Sequence, residues 1–147
     1  MKRNNHSSIY AAREFIGNSY ICSADNYYID NYFLQQHSDS YYTVLFAKNW
    51  TKEWCVKIDQ NENIYDISIG GENSWYMIGH AFWNKDFSRQ FLYYLEKDYL
   101  LPETYKMLWE DIYLKHIKEL KMKIMKCKPN SIYEFDTLED LKNFDKE

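Results

Sequence analysis

The chain of 147 residues contains only four glycines and two prolines. Loops that cradle phosphate groups need several closely spaced glycines, and the segment "SIGGEN" has only two and is typical of a turn. No Gly-x-Ser-x-Gly nucleophile motif and no zinc-protease motif occurs. The short motifs of phosphate-loop enzymes, hydrolases and metalloproteases are therefore absent, and the scarcity of chain breakers indicates mostly regular elements.

The chain also lacks a basic excess, a long apolar run and a cysteine pattern. Its formal charge of −4 argues against a nucleic-acid surface. No run of about 20 apolar residues exists to span a membrane, and the N-terminal segment has no apolar core of the signal-peptide kind. The three cysteines, Cys22, Cys55 and Cys127, are too widely spaced for a zinc site. We expect reduced thiols in a cytoplasmic protein.

Aromatic residues are abundant instead, at 19% of the chain, with 15 tyrosines and 5 tryptophans. Low-GC codon bias accounts for most of the tyrosines, but the tryptophan codon is GC-rich, so Trp54, Trp83 and Trp109 stand out. Aromatic faces around a cavity attract a quaternary ammonium ion by cation–π contact. The alternative is that these three tryptophans belong to the core.

The pattern of the first two thirds predicts a strand–helix entry followed by an antiparallel insert. A short helix over Ser8–Phe15 precedes a buried strand over Ser19–Ser23, and a β-rich middle of about residues 41–83 follows. Short spacing between its runs favours antiparallel pairing. The strand-like runs are Tyr41–Ala47, Glu53–Asp59, Ile64–Ile69 and Trp75–Phe82, and the stretches between them, predicted as turns, are "KNWTK", "DQNEN" and "GGENS".

The last third changes to a helical period. Pro102 takes a plausible first helical position, and Asp136 with Glu139 resembles the capping box that begins a helix. The predicted elements are helices over Phe87–Leu100 and Glu103–Leu120, strands over Met122–Cys127 and Ile132–Phe135, and a final helix over Thr137–Phe144. The whole chain therefore predicts a mixed α/β fold.

The predicted strand Ser19–Ser23 ends close to a carboxylate, Asp25, with Asn26 beside it. Ligands of open α/β sheets bind beyond the carboxyl ends of the strands, and a carboxylate there suits a hard divalent cation bound with phosphate oxygens. The two residues are also an ordinary turn sequence. Asp25 is thus a candidate metal ligand, and Asn26 a candidate substrate contact.

A metal site needs a second carboxylate, and the predicted helix Glu103–Leu120 offers Glu110 and Asp111. At 100° per residue, Glu110 lies on the shoulder of the apolar face, whereas Asp111 points nearly opposite to it. A shoulder residue reaches into a cleft, so helical geometry favours Glu110 and leaves Asp111 as the weaker candidate. The alternative for both is a solvated helix face.

Five short motifs resemble, in the same order, those of the bacterial CTP:phosphocholine cytidylyltransferases of the sugar-phosphate nucleotidyltransferase superfamily. They are "NSYICSADNYY", "TKEWCVKIDQNENIYDISIG", "IGHAFWNKDFS", "LWEDIYLKHIKEL" and "SIYEFDTLEDLKNF". The resemblance covers the chain from about Asn4 to Phe144. It implies that residues 1–147 are the C-terminal portion of one nucleotidyltransferase domain, with a partial Rossmann-like mixed sheet, the antiparallel β insert at about 41–83, and C-terminal helices.

The resemblance also implies roles for particular residues. Asp25 matches the first Mg²⁺ ligand, and Glu110 matches the second metal carboxylate, where the family leads us to expect aspartate. Trp54 matches a wall of the choline pocket, and Trp83 and Trp109 lie in matching motifs. The implied reaction is transfer of CMP from CTP to phosphocholine, which gives CDP-choline and pyrophosphate.

The family's N-terminal half-sheet, which carries the triphosphate loop, has no match in this chain. The resemblance therefore implies an incomplete CTP site, and we expect the chain to be inactive alone, to self-associate, or to require a complementing N-terminal half. Two other functions stay open. One is a non-catalytic module that binds choline or another quaternary ammonium ion, and the other is an inactive remnant.

Overall fold

The structure is a computed structural model that describes residues 3–33 and 38–146. It confirms a mixed α/β fold. The helices are α1 His6–Ala11, α2 Lys85–Asp98, α3 Trp109–Lys115 and α4 Leu138–Phe144, with 3₁₀ turns over Arg13–Phe15 and Pro102–Lys106. The strands are β1 Ser19–Cys22, β2 Asn26–Tyr28, β3 Tyr41–Ile58, β4 Ile64–Trp83, β5 Lys123–Lys126 and β6 Ile132–Glu134.

Four of the six strands form one mixed sheet in the order β1-β4-β3-β5. β4 pairs antiparallel with both β1 and β3, whereas β3 pairs parallel with β5. β2 and β6 form a separate antiparallel ribbon. The apolar side chains of the sheet pack against α2 and α3, with Val44, Ala81, Phe91 and Ile112 fully buried.

The middle of the chain is one long hairpin, with the antiparallel pairing that the sequence predicts. The stretch "DQNEN" is its loop, in which the Asp59 N–H donates to the Asn63 carbonyl at 3.0 Å. The stretches "KNWTK" and "GGENS" are not turns, because they lie inside β3 and β4 and produce shifts of register. At Gly70, φ is +80° and a Cβ would lie 2.9 Å from the Trp50 ring. Turn-forming residues thus encode β-bulges here.

β1 is confirmed as a strand, but it is half-buried rather than buried. Among the described residues it pairs with β4 alone and so lies at an edge of the sheet. Exposed edges favour pairing with other chains. The expected self-association and the expected complementing half stay predictions.

The continuous helix predicted over Glu103–Leu120 is wrong. The chain forms the 3₁₀ turn Pro102–Lys106, passes through Met107 and Leu108 in extended conformation, and begins α3 at Trp109. Pro102 does occupy the first turn, as predicted. The angles ψ of Met107 and Leu108 are 141° and 163°, so the predicted helical face does not exist across this break.

Two side chains stabilise the new helix start. Asp111 Oδ2 accepts the N–H of Leu108 at 2.7 Å, and Asn5 Oδ1 accepts the N–H of Trp109 at 2.8 Å. Both bonds satisfy backbone donors that a helix start leaves without partners. Asn5 lies 104 residues away in sequence, so periodicity alone does not predict the break.

Four of the 15 tyrosines, Tyr20, Tyr28, Tyr32 and Tyr41, lie around one buried histidine, His80. The rings of Tyr20, Tyr28, Phe33 and Tyr41 lie with centroids within 6.4 Å of the His80 ring. Edge-to-face and tilted contacts of this kind add to the free energy of area burial. Codon bias explains why the chain has many tyrosines, but it does not explain why several of them pack together around His80.

Candidate functional site

Three carboxylates converge beyond the end of β1. One carboxylate oxygen from each of Asp25, Glu134 and Asp136 lies within 4.8 Å of the other two, and all three residues are exposed. Partial burial raises the pKa of the Glu134 carboxyl, and the charges of Asp136 and Asp25 raise it further. A divalent cation would relieve this repulsion, and carboxylate oxygens are the ligands that Mg²⁺ prefers.

The β2–β6 ribbon brings these carboxylates together. Asn26 lies opposite Glu134 in the ribbon, and the N–H of Phe135 donates to the Asp25 carbonyl at 3.0 Å. The Asn26 amide donates to the Ile78 carbonyl at 2.6 Å, which fastens the ribbon to the sheet. Residues that are far apart in the sequence therefore become neighbours through strand pairing.

The cap of α4 leaves Asp136 available to this cluster. Thr137 is the N-cap residue, its hydroxyl accepts the N–H of Asp140 at 3.2 Å, and Asp140 Oδ2 accepts the N–H of Thr137 at 2.7 Å. The predicted capping box of Asp136 and Glu139 is therefore wrong by one residue, because the observed pair is Thr137 and Asp140. Asp136 precedes the cap and joins the carboxylate cluster.

A small cavity of about 190 Å³ lies beside the cluster. It is lined by one indole, Trp54, and by three acidic side chains, Glu53, Glu110 and Glu134. An aromatic face and carboxylates both attract a cation. The volume is below that of a typical drug-sized pocket and suits a small head group.

Glu110 is the most deeply buried acid of this cavity. The Tyr42 hydroxyl donates to Glu110 Oε1 at 3.0 Å and accepts the N–H of Gly79 at 3.1 Å. Glu110 Oε2 has no hydrogen-bond partner among the described residues. Burial raises the pKa of Glu110 to about 7, and hydrogen bonds from its own backbone, from Tyr42 and from Asn5 oppose that rise only in part.

A larger cavity of about 570 Å³ lies between α1 and β1. Asp25 and Trp109 line it, whereas Glu134 lines the small cavity, and Asn5 and Ser23 line both. Two members of the carboxylate cluster therefore line different cavities, Asp25 the larger one and Glu134 the smaller one.

The structure separates the two carboxylates that sequence reasoning paired. Asp25 lies with Glu134 and Asp136, whereas Glu110 lies in the small cavity with Trp54. Asp111, the weaker metal candidate, caps α3 instead. Trp54 does line a cavity, as the choline-pocket hypothesis requires, but its contact with a substrate stays a prediction.

Three other predicted contacts have structural roles. Trp83 is fully buried against Phe87 and Phe91, which gives it a packing position in the core, and its contact with a substrate stays a prediction. Trp109 stacks on Tyr42 in the core and reaches the larger cavity with part of its surface. The Asn26 amide is used by the sheet, as described above.

Sequence reasoning missed Glu53, Glu134 and Asp136. Glu53 stands next to Trp54, and this adjacency in a strand-like run was an available signal. Glu134 and Asp136 flank Phe135 at the end of a predicted strand, the same context that singled out Asp25. Only the pairing of β2 with β6 shows that both strand ends meet.

No protein-family model matches the chain. The choline-phosphate cytidylyltransferase of Streptococcus pneumoniae is 28% identical over 142 residues, which are 97% of this chain and 62% of that protein. A solved structure of the CTP:phosphocholine cytidylyltransferase from the same organism superposes with a TM-score of 0.90 at 27% identity, over 99% of this chain and 64% of that one. The chain is a relative of the bacterial CTP:phosphocholine cytidylyltransferases.

Two further matches are named for other small molecules. A 2-aminoethylphosphonate cytidylyltransferase of Lancefieldella rimae is 28% identical over 99% of this chain and 60% of that protein. An inositol-1-phosphate CTP transferase from T. maritima shares the fold, with a TM-score of 0.68 at 14% identity over 98% of this chain. This chain thus spans about three fifths of the length of the cytidylyltransferases it matches. Among the described helices, none is long and apolar enough to cross a membrane.

Proposed function

We propose that the chain provides the acceptor side of a cytidylyltransferase that transfers CMP from CTP to phosphocholine. In this reaction a phosphate oxygen of phosphocholine attacks the α-phosphorus of CTP, the bond from that phosphorus to the bridging oxygen breaks, and pyrophosphate leaves. The relatives named above support the reaction class. We further propose that the protein works in the cytoplasm, where the expected reduced thiols are stable.

The observation that carries this proposal is that Asp25 and Glu134, two members of one carboxylate cluster, line two different cavities. The small cavity, with Trp54 and Glu110, suits the cationic head group, and the phosphate end then points towards Asp25 and Glu134. We propose that CTP approaches from the larger cavity, which Asp25 lines. The phosphate of phosphocholine and the α-phosphate of CTP would therefore meet at the carboxylates, which transfer of CMP between them requires.

We propose Mg²⁺ as the cofactor, and the donor set fits it. Asp25, Glu134 and Asp136 would hold the ion through carboxylate oxygens. When bound, Mg²⁺ neutralises charge on the transferring phosphate. The chain's own part is then to orient the acceptor, with Trp54 and Glu110 fixing its head group.

Divalent-ion binding tests which carboxylates form the metal site. We expect Asp25→Asn and Glu134→Gln each to weaken Mn²⁺ binding on the order of tenfold, because each removes a charged oxygen ligand. Paramagnetic broadening of the protein's NMR signals measures this. Asp25→Asn should leave phosphocholine binding nearly intact, since Asp25 faces the metal rather than the head group.

Two further variants decide between the candidate partners of Asp25. Glu110→Gln should leave Mn²⁺ binding unchanged if Glu134 is the second ligand, and exposed Glu103→Gln is the matched control. A loss of Mn²⁺ affinity in Glu110→Gln, with none in Glu134→Gln, would restore the original pairing of Asp25 with Glu110 and refute the cluster.

We expect the chain alone to form CDP-choline at a negligible rate, because it spans only about three fifths of its relatives. A coupled pyrophosphate assay with CTP, phosphocholine and Mg²⁺ measures the rate, and a full-length cytidylyltransferase is the positive control. Robust pyrophosphate release that depends on phosphocholine would show that the chain holds CTP unaided. Choline binding without any turnover, even after complementation, would favour the non-catalytic module.

A further inference from the structure

The ribbon that carries the carboxylate cluster has two different faces. Side chains of a strand alternate between its faces. Asn26 and its partner Glu134, a member of the cluster, therefore share one face of the ribbon, and Tyr27 and its partner Tyr133 share the other. With only three paired residues on each strand, the ribbon is too short to be stable by itself. Its geometry therefore depends on what packs against it.

The helix α4 packs on the aromatic face of this ribbon with its one aromatic side chain, Phe144. The centroid of the Phe144 ring lies 4.8 Å from that of Tyr133, 5.3 Å from that of Tyr27 and 5.4 Å from that of Phe135, edge to face in each case. Such contacts stabilise a structure beyond the area that they bury. Because Tyr27 belongs to β2 and Tyr133 to β6, the ring holds both strands at once.

The same helix fixes the backbone on one side of Asp136. The residue before it, Phe135, donates its N–H to the Asp25 carbonyl at 3.0 Å, and the residue after it, Thr137, donates its N–H to Asp140 Oδ2 at 2.7 Å. The first bond joins the two strand ends, and the second belongs to the cap of α4. A helix of seven residues is not stable in water by itself. Loss of its docking would therefore also loosen the cap that positions the Asp136 carboxylate.

The docking of α4 buries little surface. None of the described residues of this helix is fully buried, Leu138 is 67% exposed, and a cavity of about 220 Å³ remains between the helix and the ribbon. Segments with few buried apolar contacts open locally at a small expense of free energy. A ligand that binds the ribbon can therefore shift α4 between a docked and an undocked state.

We propose that Phe144 is a positioning residue for the carboxylate cluster, and that docking of α4 and binding of a divalent cation at the cluster stabilise each other. This inference deepens the proposed metal site and rests on it. A cation held by Asp25, Glu134 and Asp136 joins the ends of β2 and β6, and the Phe144 ring joins the same two strands through their aromatic face. Because coupling between two sites is reciprocal, each event strengthens the other by the same factor.

Mn²⁺ binding to the full chain, followed by paramagnetic broadening of its NMR signals, tests the effect of the ring on the metal site. We expect Phe144→Ala to weaken Mn²⁺ binding on the order of tenfold. Phe144→Leu should restore most of the affinity, because it returns an apolar side chain to the same position. Leu138→Ala, at an exposed position of the same helix, is the matched control and should bind Mn²⁺ like the parent chain. Equal Mn²⁺ affinity in Phe144→Ala and the parent chain would overturn the proposal.

Hydrogen exchange measures the reverse effect and needs no variant of Phe144. The N–H groups of Leu141 and Asp145 donate to the carbonyls of Thr137 and Leu141, so their exchange reports opening of α4. In the parent chain, saturating Mg²⁺ should slow this exchange about tenfold. In Asp25→Asn the same Mg²⁺ concentration should have little effect, because one ligand of the ion is missing.

The outcomes separate this inference from the metal site on which it rests. A helix that merely packs on the ribbon would exchange at the same rate with and without bound Mg²⁺, and this result would overturn the proposal even if Phe144→Ala failed to fold. If the parent chain binds no Mn²⁺ at all, the proposed metal site itself is refuted, and the coupling with it.

Discussion

Replacing Trp54 with alanine is expected to abolish detectable phosphocholine binding. Trp54 and Tyr42 are the aromatic residues among the described lining of the small cavity, and the Tyr42 ring is stacked on Trp109. A desolvated cation–π contact with the indole contributes on the order of 2 kcal/mol. Since the parent chain is expected to bind only in the millimolar range, a loss of that size moves the dissociation constant beyond measurement. Trp54→Phe should weaken binding without abolishing it, because a smaller π-face remains.

The measurement must not use Trp54 as its own reporter. Broadening or saturation transfer on the methyl signals of phosphocholine reports binding in every variant. Trp50→Ala is the matched control, because Trp50 lies on the same hairpin, is 72% exposed and faces no cavity described above. Equal binding by Trp54→Ala and the parent chain would make Trp54 a packing residue and refute the head-group assignment.

Glu110→Gln is expected to change stability in a way that depends on pH. Burial raises the pKa of Glu110 from 4.5 to about 7, so between these values the folded chain binds more protons than the unfolded one. The free energy of unfolding therefore falls as pH rises through this window. A shift of this size corresponds to about 3 kcal/mol by pH 8. Glutamine does not ionise and escapes that loss.

Chemical denaturation at pH 5 and pH 8 measures the effect. At pH 5 the Glu110→Gln variant should be about as stable as the parent chain or less stable, since the amide adds a buried donor without a partner. At pH 8 the variant should gain about 3 kcal/mol on the parent chain relative to its difference at pH 5. Glu103→Gln, at an exposed position, should show no such pH dependence. If the free energy of unfolding changed equally with pH in Glu110→Gln and in the parent chain, the assignment of Glu110 as a buried acid with a raised pKa would be contradicted.

Together these two variants separate binding from folding. Trp54 contributes a face to the cavity, whereas Glu110 contributes a buried carboxylate that costs stability when it is ionised. Functional sites commonly retain such unfavourable groups. We therefore expect Glu110→Gln to gain stability relative to the parent chain as the pH rises from 5 to 8.

Local sequence patterns predicted the elements well where local interactions decide them. The hairpin loop at residues 59–63, the strand before Asp25 and the helix Lys85–Asp98 all follow from short patterns of turn formers and apolar period. The predictions failed where distant residues decide. Asn5 accepts the N–H of Trp109 and so stabilises a helix start inside the region that periodicity predicted as one continuous helix. Cross-strand partners convert two predicted turns into bulges.

The sequence by itself determined the chemistry that is available: a carboxylate beyond β1, a tryptophan in the hairpin and an acid after Trp109. The tertiary structure alone decided which of these groups meet. Pairing of β2 with β6 places Asp25 with Glu134 and Asp136, and the same fold places Glu110 with Trp54 instead. The physical reason is that backbone preferences and apolar periods act over a few residues, whereas a metal or head-group site is formed by contacts between residues far apart in the chain.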